Sequence, residues 1–147
     1  MNSYEKRDRY AYLMKKLDKA TKNEYYYEAI FIEYAIMEDR MESLLRHAQI
    51  DCIDSKTGRL YTLDKKIKVI RNQKIFTGDK YIMKHLTEEL ISSILNWKTI
   101  RNKLIHDLIN VSYENEEIKN IALQGECLVK RLNTKTQLVN KHLDNLE

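Results

Sequence analysis

An arginine and a histidine five positions apart, in the stretch WKTIRNKLIHDL (97–108), are the residues best suited to chemistry. Arginine stays charged and can bind a phosphate through two hydrogen bonds, whereas histidine exchanges a proton near neutral pH. At about 100° per residue, Arg101 falls in the middle of the apolar sector of a helix. His106 lies at the border of the polar side, and Asn102 precedes it by one turn. A charged residue on an apolar line therefore needs an explanation.

The preceding long helix carries a second charged residue on an apolar line, Glu38. An unpaired buried charge costs several kcal/mol, so buried charges normally find partners. We therefore expect Glu38 to face Arg101, with Asp39 and Glu42 as further candidates. A structural ion pair that fixes the helix register is the commoner explanation of such a pattern taken alone, and His106 would then be an ordinary border histidine.

The composition is that of a folded helical protein. The chain has 147 residues, of which 43% are hydrophobic and 33% charged, with no proline and three glycines. This length suits one domain over residues 1–147, and the lack of helix breakers favours long helices. We find no strand pattern and predict an all-α, up-and-down bundle of four to five helices.

The helices are positioned by apolar periodicity and by capping residues. We predict helices over about 4–21 and 23–49, a short helix from 62, and a last helix from 113 or 115 to about 146. A helical stretch from 80 leads into a central helix that opens at 87–89 and ends near 110. Asn23 and Thr62 are candidate N-caps, and residues 77–79 form a break. Gly125, within the last helix, marks either a fraying point or a close approach between helices.

The middle of the chain is basic. From residue 55 to 106 there are twelve Lys or Arg against four acids, a net charge of +8, so the rest of the chain carries −4. This distribution suggests a polyanion partner, although a solvated lysine-rich surface is the commoner explanation. The candidate phosphate-binding residues are Lys65, Lys66, Lys68, Arg71, Lys98 and Lys103. The four on the third helix, at positions 65, 66, 68 and 71, are expected to face outward.

Several classes of protein are not expected. No apolar run is long enough to span a membrane, and the first ten residues, MNSYEKRDRY, have no signal core. Cys52 and Cys127 lie far apart in no metal-binding or redox spacing, which predicts free thiols. We therefore expect a cytoplasmic protein without a metal or a cofactor.

Residues 101–106, Arg-Asn-Lys-Leu-Ile-His, resemble the signature of the HEPN superfamily: an arginine, a polar residue, a short gap and a histidine. The segment EYAIMEDRMESLL (33–45) looks like the acidic helix of many bacterial members. The segment YTLDKKIKVI (61–70) is similar to one in several abortive-infection-like members. The resemblance covers about residues 20–145.

This resemblance implies a metal-independent endoribonuclease that acts as a toxin or phage-defence effector. Family members typically dimerise, so that two Arg/His pairs line one cleft; Arg101 and His106 would be this pair, and Asn102 the intervening polar residue. Glu38 would orient Arg101, and the basic third helix would contact RNA phosphates. The expected partners are RNA, a second copy of the chain, and a cognate antitoxin or defence protein.

Two features of the sequence leave other functions open. Members paired with a nucleotidyltransferase antitoxin often carry a tyrosine where this chain has Leu108. The tyrosines at 25–27 could stack on bases, but the helical pattern predicts a core position for Tyr27. The alternative function is a non-catalytic helical dimer that binds RNA, a nucleotide or a protein partner. A third is a helical adaptor without a nucleic-acid role.

Overall fold

The computed structural model describes residues 2–146, and over this range the chain is all-α, as predicted. Residues 2–146 form seven helices and no strand, and an isolated bridge joins Ile53 and Leu60 in the loop after the second helix. The count exceeds the predicted four to five because the segment between the second and the central long helix forms three short helices. The helices are α1 (Ser3–Lys22), α2 (Tyr26–His47), α3 (Leu63–Asn72), α4 (Lys74–Thr77), α5 (Lys80–His85), α6 (Glu88–His106) and α7 (Asn115–Asn145).

The ends of α1 are fixed by local hydrogen bonds. Asn2 and Glu5 form a capping box, in which each side chain accepts a hydrogen bond from the other residue's backbone N–H at 2.9 Å. Asn23 is the C-cap of α1, so its predicted role as the N-cap of α2 is wrong. Glu24 then takes a positive φ of 62°, which reverses the chain before α2 begins at Tyr26.

Hydroxyl and carboxylate caps set the starts of the helices between residues 62 and 90. The side chains of Thr62, Asp79 and Thr87 each accept a hydrogen bond from the backbone N–H three residues later, at 3.2, 3.1 and 3.2 Å. The Thr62 cap and the break at 77–79 are therefore confirmed. The central helix was predicted to end near Asn110, but α6 ends at His106 and a turn follows.

The first compact unit comprises the described residues up to 36 together with 96–129. Its interior is aliphatic around one tryptophan, Trp97, which is fully buried. The indole Nε1 donates a hydrogen bond to the carbonyl oxygen of Ile121 at 2.9 Å, so the polar atom of the ring is satisfied. The other buried residues of this unit include Leu17, Ala29, Ile30, Ile36, Leu104, Ala122 and Val129.

The second compact unit comprises residues 37–95 and the described residues from 130 onward. In α3, Leu63, Ile67 and Ile70 are buried, which confirms the inner face predicted for this helix. Each unit includes parts of α2, α6 and α7, and the prediction of one domain stays a prediction. Other buried residues of the second unit are Met37, Met41, Leu44, Leu45, Ile82, Leu90, Ile94, Leu132 and Val139.

The inner face of α2 differs from the predicted one. Tyr27, predicted in the core, is 40% exposed, and Phe31 is 54% exposed. Glu38, also predicted in the core, is half-buried, whereas Glu33 is completely buried. The helix presents its small and aliphatic residues inward, because tyrosine rings tolerate partial exposure better than isoleucine does.

Two predicted exclusions concern membranes and cysteines. None of the helices between residues 2 and 146 is long and apolar enough to cross a bilayer. Both cysteines are free, as predicted. Cys52 is buried, and this burial, together with the charge of Glu42, raises the pKa of its thiol. Cys127 is exposed.

Candidate functional site

Arg101 lies on α6 one turn after Trp97 and is half-buried. Its guanidinium carbon stands 4.0 Å from the centroid of the Tyr34 ring and 5.6 Å from that of Phe31. Both distances are within the range of cation–π attraction. One guanidinium nitrogen, Nη1, donates a hydrogen bond to Asn102 Oδ1 at 2.9 Å. The aromatic face of α2 therefore holds the charge at the surface of the first unit.

No acid of the described part of the first unit forms an ion pair with Arg101. Its Nε is buried without a hydrogen-bond partner. The bond to Asn102 uses one N–H group, so most of the donors of the guanidinium are left for another acceptor. Glu38 belongs to the second unit, and its pairing with Arg101 stays a prediction.

His106 is the last residue of α6, and its side chain is exposed. Positions 101 and 106 differ by about 140° around a regular helix, so Arg101 and His106 leave α6 in different directions. Among the described contacts, no hydrogen bond or ring contact joins the two side chains. The structure brings Arg101 together with Asn102, and it does not bring His106 to the same point of one copy.

The turn after His106 is fixed by a small polar network. Asp107 accepts hydrogen bonds from Lys103 Nζ at 2.7 Å and from the Tyr113 hydroxyl at 3.3 Å. The bond from Lys103 holds the pKa of the Asp107 carboxyl below its usual value, and the same ion pair raises the pKa of Lys103. Lys103 is exposed, as predicted, but its ammonium group is paired with this carboxylate.

The basic face of α3 is smaller than predicted. Lys65 and Lys68 are exposed, as expected. The outward position predicted for Lys66 is wrong: the residue is 4% exposed, and its Nζ donates to the carbonyl oxygen of Glu38 at 3.4 Å. Position 66 shares the inner side of α3 with Leu63, so only the end of the lysine reaches a polar partner.

The remaining predicted phosphate contacts are also partly engaged. Arg71 forms an ion pair with Glu88 and donates to the hydroxyl of Ser92 at 3.4 Å. Lys98 is half-buried on α6. The predicted basic surface is therefore interrupted, because Lys66 is buried, and Arg71 and Lys103 each pair with an acid.

The sequence interpretation missed the most unusual acid of the first unit, Glu33. Both carboxylate oxygens are buried without a hydrogen-bond partner, and burial, with a contribution from Glu126, raises the pKa to about 9. The carboxyl group occupies the space left by the missing side chain of Gly125. A Cβ added to Gly125 would clash with the Glu33 carboxyl group and would lie 2.7 Å from Trp97 Cζ2. Gly125 thus marks a close helix approach, one of its two predicted roles.

The signal for Glu33 is present in the sequence. The positions three and four residues away on both sides are Ala29, Ile30, Ile36 and Met37, all apolar and all buried. An acid surrounded in this way lies at the centre of an apolar helix face. The aromatic line through Tyr27 and Phe31 competed with this face and suggested Glu38 instead.

Comparison with family models, with curated proteins and with solved structures found no match for this chain. The resemblance to the HEPN superfamily therefore stays an expectation from the sequence. Within residues 2–146, no group of three or more His, Cys, Asp or Glu side chains is arranged to hold a metal ion.

Proposed function

We propose that this chain is a cytoplasmic, metal-independent endoribonuclease of the HEPN type, acting as a toxin or phage-defence effector. The observation that carries the proposal is the environment of Arg101. Its charge lies half-exposed on the rings of Tyr34 and Phe31, and no acid of its unit neutralises it. An arginine held in this way can bind a phosphate without first breaking an ion pair.

The chemistry requires a proton acceptor, a proton donor and a cation. The 2′-hydroxyl loses its proton and its oxygen attacks the adjacent phosphorus; the bond from phosphorus to the 5′-oxygen breaks, and that oxygen gains a proton. The products are a 2′,3′-cyclic phosphate and a 5′-hydroxyl. His106 performs one of the proton transfers, and Arg101 stabilises the charge on the phosphoryl oxygens. Asn102 keeps the guanidinium oriented through its 2.9 Å hydrogen bond.

The directions of the two side chains support a site shared with a second copy of the chain. Because Arg101 and His106 leave α6 about 140° apart, a site that uses both is more readily built from the arginine of one copy and the histidine of another. The end of α6 and the following turn expose an unusual amount of apolar surface that a second copy would cover. The exposed residues are Ile100 (36%), Leu108 (51%), Ile109 (95%) and Val111 (46%).

A non-catalytic dimer that binds RNA, a nucleotide or a protein partner is the second candidate. The observation in its favour is that no described hydrogen bond or ion pair orients the His106 side chain, whereas a general acid or base is normally held in place. This candidate keeps Arg101 as a phosphate-binding residue and assigns no chemistry to His106.

The test is cleavage of a panel of RNAs by the purified protein in EDTA, followed by analysis of the product ends. His106→Ala is expected to reduce the cleavage rate by about 10²- to 10⁴-fold, the usual contribution of a general acid or base. Arg101→Met is expected to abolish cleavage and to weaken RNA binding, because the phosphate contact of this residue is lost. Asn110→Ala, an exposed polar change near His106, is the matched control and is expected to cleave like the wild type.

Cyclic phosphate ends that depend on His106, with the dimer intact, would support the ribonuclease. RNA binding that depends on Arg101, without cleavage by any variant, would contradict it and favour the non-catalytic dimer.

A further inference from the structure

A second group of titratable side chains, outside the Arg101 region, lies in the second unit between α5 and α7. We name Asp79, Tyr81, His85, Lys135 and His142 the α5–α7 cluster. The Tyr81 ring stacks on the His142 ring with centroids 4.5 Å apart and meets the His85 ring edge-on at 4.6 Å. Lys135 Nζ lies 3.4 Å from His85 Nδ1. Tyr81 is 37% exposed, so solvent reaches the cluster.

The acids in and beside the α5–α7 cluster already have hydrogen-bond partners. Asp79 Oδ2 lies 2.8 Å from His142 Nε2, and its other oxygen caps α5. On the neighbouring turn of α7, Arg131 forms an ion pair with Glu89 at 2.7 Å. Partial burial raises the pKa of Asp79, but the hydrogen bonds from His142 and the backbone outweigh it and keep that pKa below its usual value. Neither carboxylate is therefore placed to neutralise the lysines near His85.

The positive charges of two lysines lie near His85, and no described acid neutralises them. Among the described contacts, neither Lys84 nor Lys135 forms an ion pair with an acid. Burial first, and then the charges of Lys135 and Lys84, lower the pKa of His85. The ammonium of Lys135 lies 3.4 Å from Nδ1 of the imidazole, which carries at least one N–H in either tautomer. The N–H donors of His85 and the two lysines thus lie close together with positive charge in excess.

The geometry points to a binding site for a phosphate group at Lys84, His85 and Lys135, with the His142–Asp79 pair and the Tyr81 ring fixing the position of His85. A tetrahedral oxyanion accepts hydrogen bonds from several directions, which suits donors that come from two helices. Its negative charge neutralises the nearby lysines, which the neighbouring acids do not do because they are already bonded to other residues. This site is independent of Arg101 and does not require that the chain cleaves RNA.

Bound phosphate stabilises the protonated form of His85. The charged and titratable groups that surround this imidazole are Lys84 and Tyr81 on its own helix and Lys135 and His142 on α7. An added anion opposes the effect of both lysines, so the pKa of His85 rises on binding and, by linkage, binding strengthens as pH falls. A rise of one pKa unit corresponds to about tenfold tighter binding to the protonated form.

Titration of the full chain with inorganic sulfate, read from the histidine NMR resonances, tests the site. Sulfate is the probe because it is a dianion at both pH 6 and pH 8, whereas inorganic phosphate itself titrates between them. His85→Gln identifies the His85 resonance among the four histidines. We expect sulfate to shift that resonance and to bind more tightly at pH 6 than at pH 8, by a factor below the limit of about tenfold that a rise of one pKa unit sets.

Lys135→Met and Lys84→Met are expected to weaken sulfate binding about tenfold or more. Lys141→Met is the matched control on α7: position 141 is exposed, and no described ion pair involves it. The other histidine resonances report whether each variant is folded. The site would be overturned by a His85 resonance that sulfate does not move, or by equal binding to the Lys135→Met, Lys84→Met and Lys141→Met variants.

Two further probes identify the source of the phosphate group. A 2′-deoxy oligonucleotide with hydroxyl ends cannot undergo 2′-hydroxyl cleavage and presents only backbone phosphates. A nucleoside 5′-monophosphate presents a terminal phosphate. A shift of the His85 resonance with the oligonucleotide alone assigns the site to the nucleic-acid backbone, and a shift with the monophosphate alone assigns it to a nucleotide. A shift with neither would contradict the phosphate assignment, even if sulfate bound.

Discussion

Glu33 and Arg101 are both ionisable residues of the first unit, yet their side chains differ in how far they are buried. Glu33 is completely buried, with both carboxylate oxygens unpartnered. Arg101 remains half-exposed on the rings of Tyr34 and Phe31. One α6 turn, from Trp97 to Arg101, separates the two environments.

The difference follows from what each side chain can do with its charge. A carboxylate transferred to an apolar interior binds a proton, and the pKa of about 9 for Glu33 means that it is neutral at pH 7. A guanidinium cannot lose its proton in a protein. Arg101 therefore keeps its charge, and aromatic faces together with Asn102 provide the contacts that water would otherwise make. The interior neutralises the acid and leaves the arginine available for an anion.

The largest expected effect is the pH dependence that Glu33 imposes on stability. Its folded pKa of about 9 lies above the ordinary value of 4.5, so the folded chain holds a proton that the unfolded chain releases. Stability is complete below about pH 4.5 and falls as pH rises toward 9. Relative to Glu33→Gln, the free energy of unfolding of the wild type is expected to fall by about 5 kcal/mol between pH 5 and pH 9.

Urea unfolding of wild type and Glu33→Gln across this pH range measures the effect. The difference between the two proteins removes the contributions of all other titrating groups. A constant difference from pH 5 to pH 9 would show that the Glu33 carboxyl titrates normally and would remove the contrast with Arg101. Glu28→Gln, at an exposed position on α2, is the matched control and is expected to show no such trend.

A smaller effect is expected from filling the space beside Glu33. Gly125→Ala gains about 0.5–1 kcal/mol of helix propensity. The added Cβ meets the Glu33 carboxyl group and Trp97, which is fully buried and bonded to Ile121. Such overpacking costs about 1–3 kcal/mol, so the clash outweighs the propensity and the variant is destabilised.

Thermal unfolding of Gly125→Ala, beside Gln124→Ala on the exposed side of α7, checks the sign. Combining Gly125→Ala with Glu33→Ala provides room for the new methyl group, and the two changes together are expected to cost less than their sum. A stabilised Gly125→Ala variant would mean that helix approach at this glycine is looser than the contacts indicate.

The inner face of α3 could be predicted because it rests on a local pattern, whereas the sequence left two roles open for Gly125. Leu63, Ile67 and Ile70 repeat at helical spacing after a threonine cap, and no other line of that helix competes with them. In α2 two apolar lines compete, one aromatic and one aliphatic. Sequence periodicity does not rank them, because the choice depends on which helix supplies a space such as that beside Gly125.

Contacts between distant residues were beyond the sequence interpretation. Asp79 and His142 are 63 positions apart, and nothing in either local segment indicates their ion pair. Lys66 was misplaced for a related reason: its long apolar stem can be buried if a carbonyl group lies within reach, and that carbonyl belongs to α2. Arg101, in contrast, could be identified from α6 alone, although its aromatic partners could not.

The smallest expected effect concerns the ring on which Arg101 rests. Tyr34→Leu removes the closer aromatic face and is expected to reduce stability by about 0.5–1 kcal/mol through the lost cation–π attraction. Tyr34→Phe keeps the ring and is expected to retain this attraction. Tyr27→Leu, which alters a half-exposed tyrosine without a described contact to Arg101, is the matched control.

A double-mutant cycle with Arg101→Met separates the contact from the general cost of removing a tyrosine. The coupling between Tyr34→Leu and Arg101→Met is expected to equal the cation–π attraction, about 0.5–1 kcal/mol. If the proposed function is correct, Tyr34→Leu also leaves Arg101 less well oriented for phosphate, and an equal loss in the transition state slows cleavage about two- to fivefold. A coupling of zero would mean that the ring only covers the arginine, and that other contacts stabilise its charge at this half-buried position.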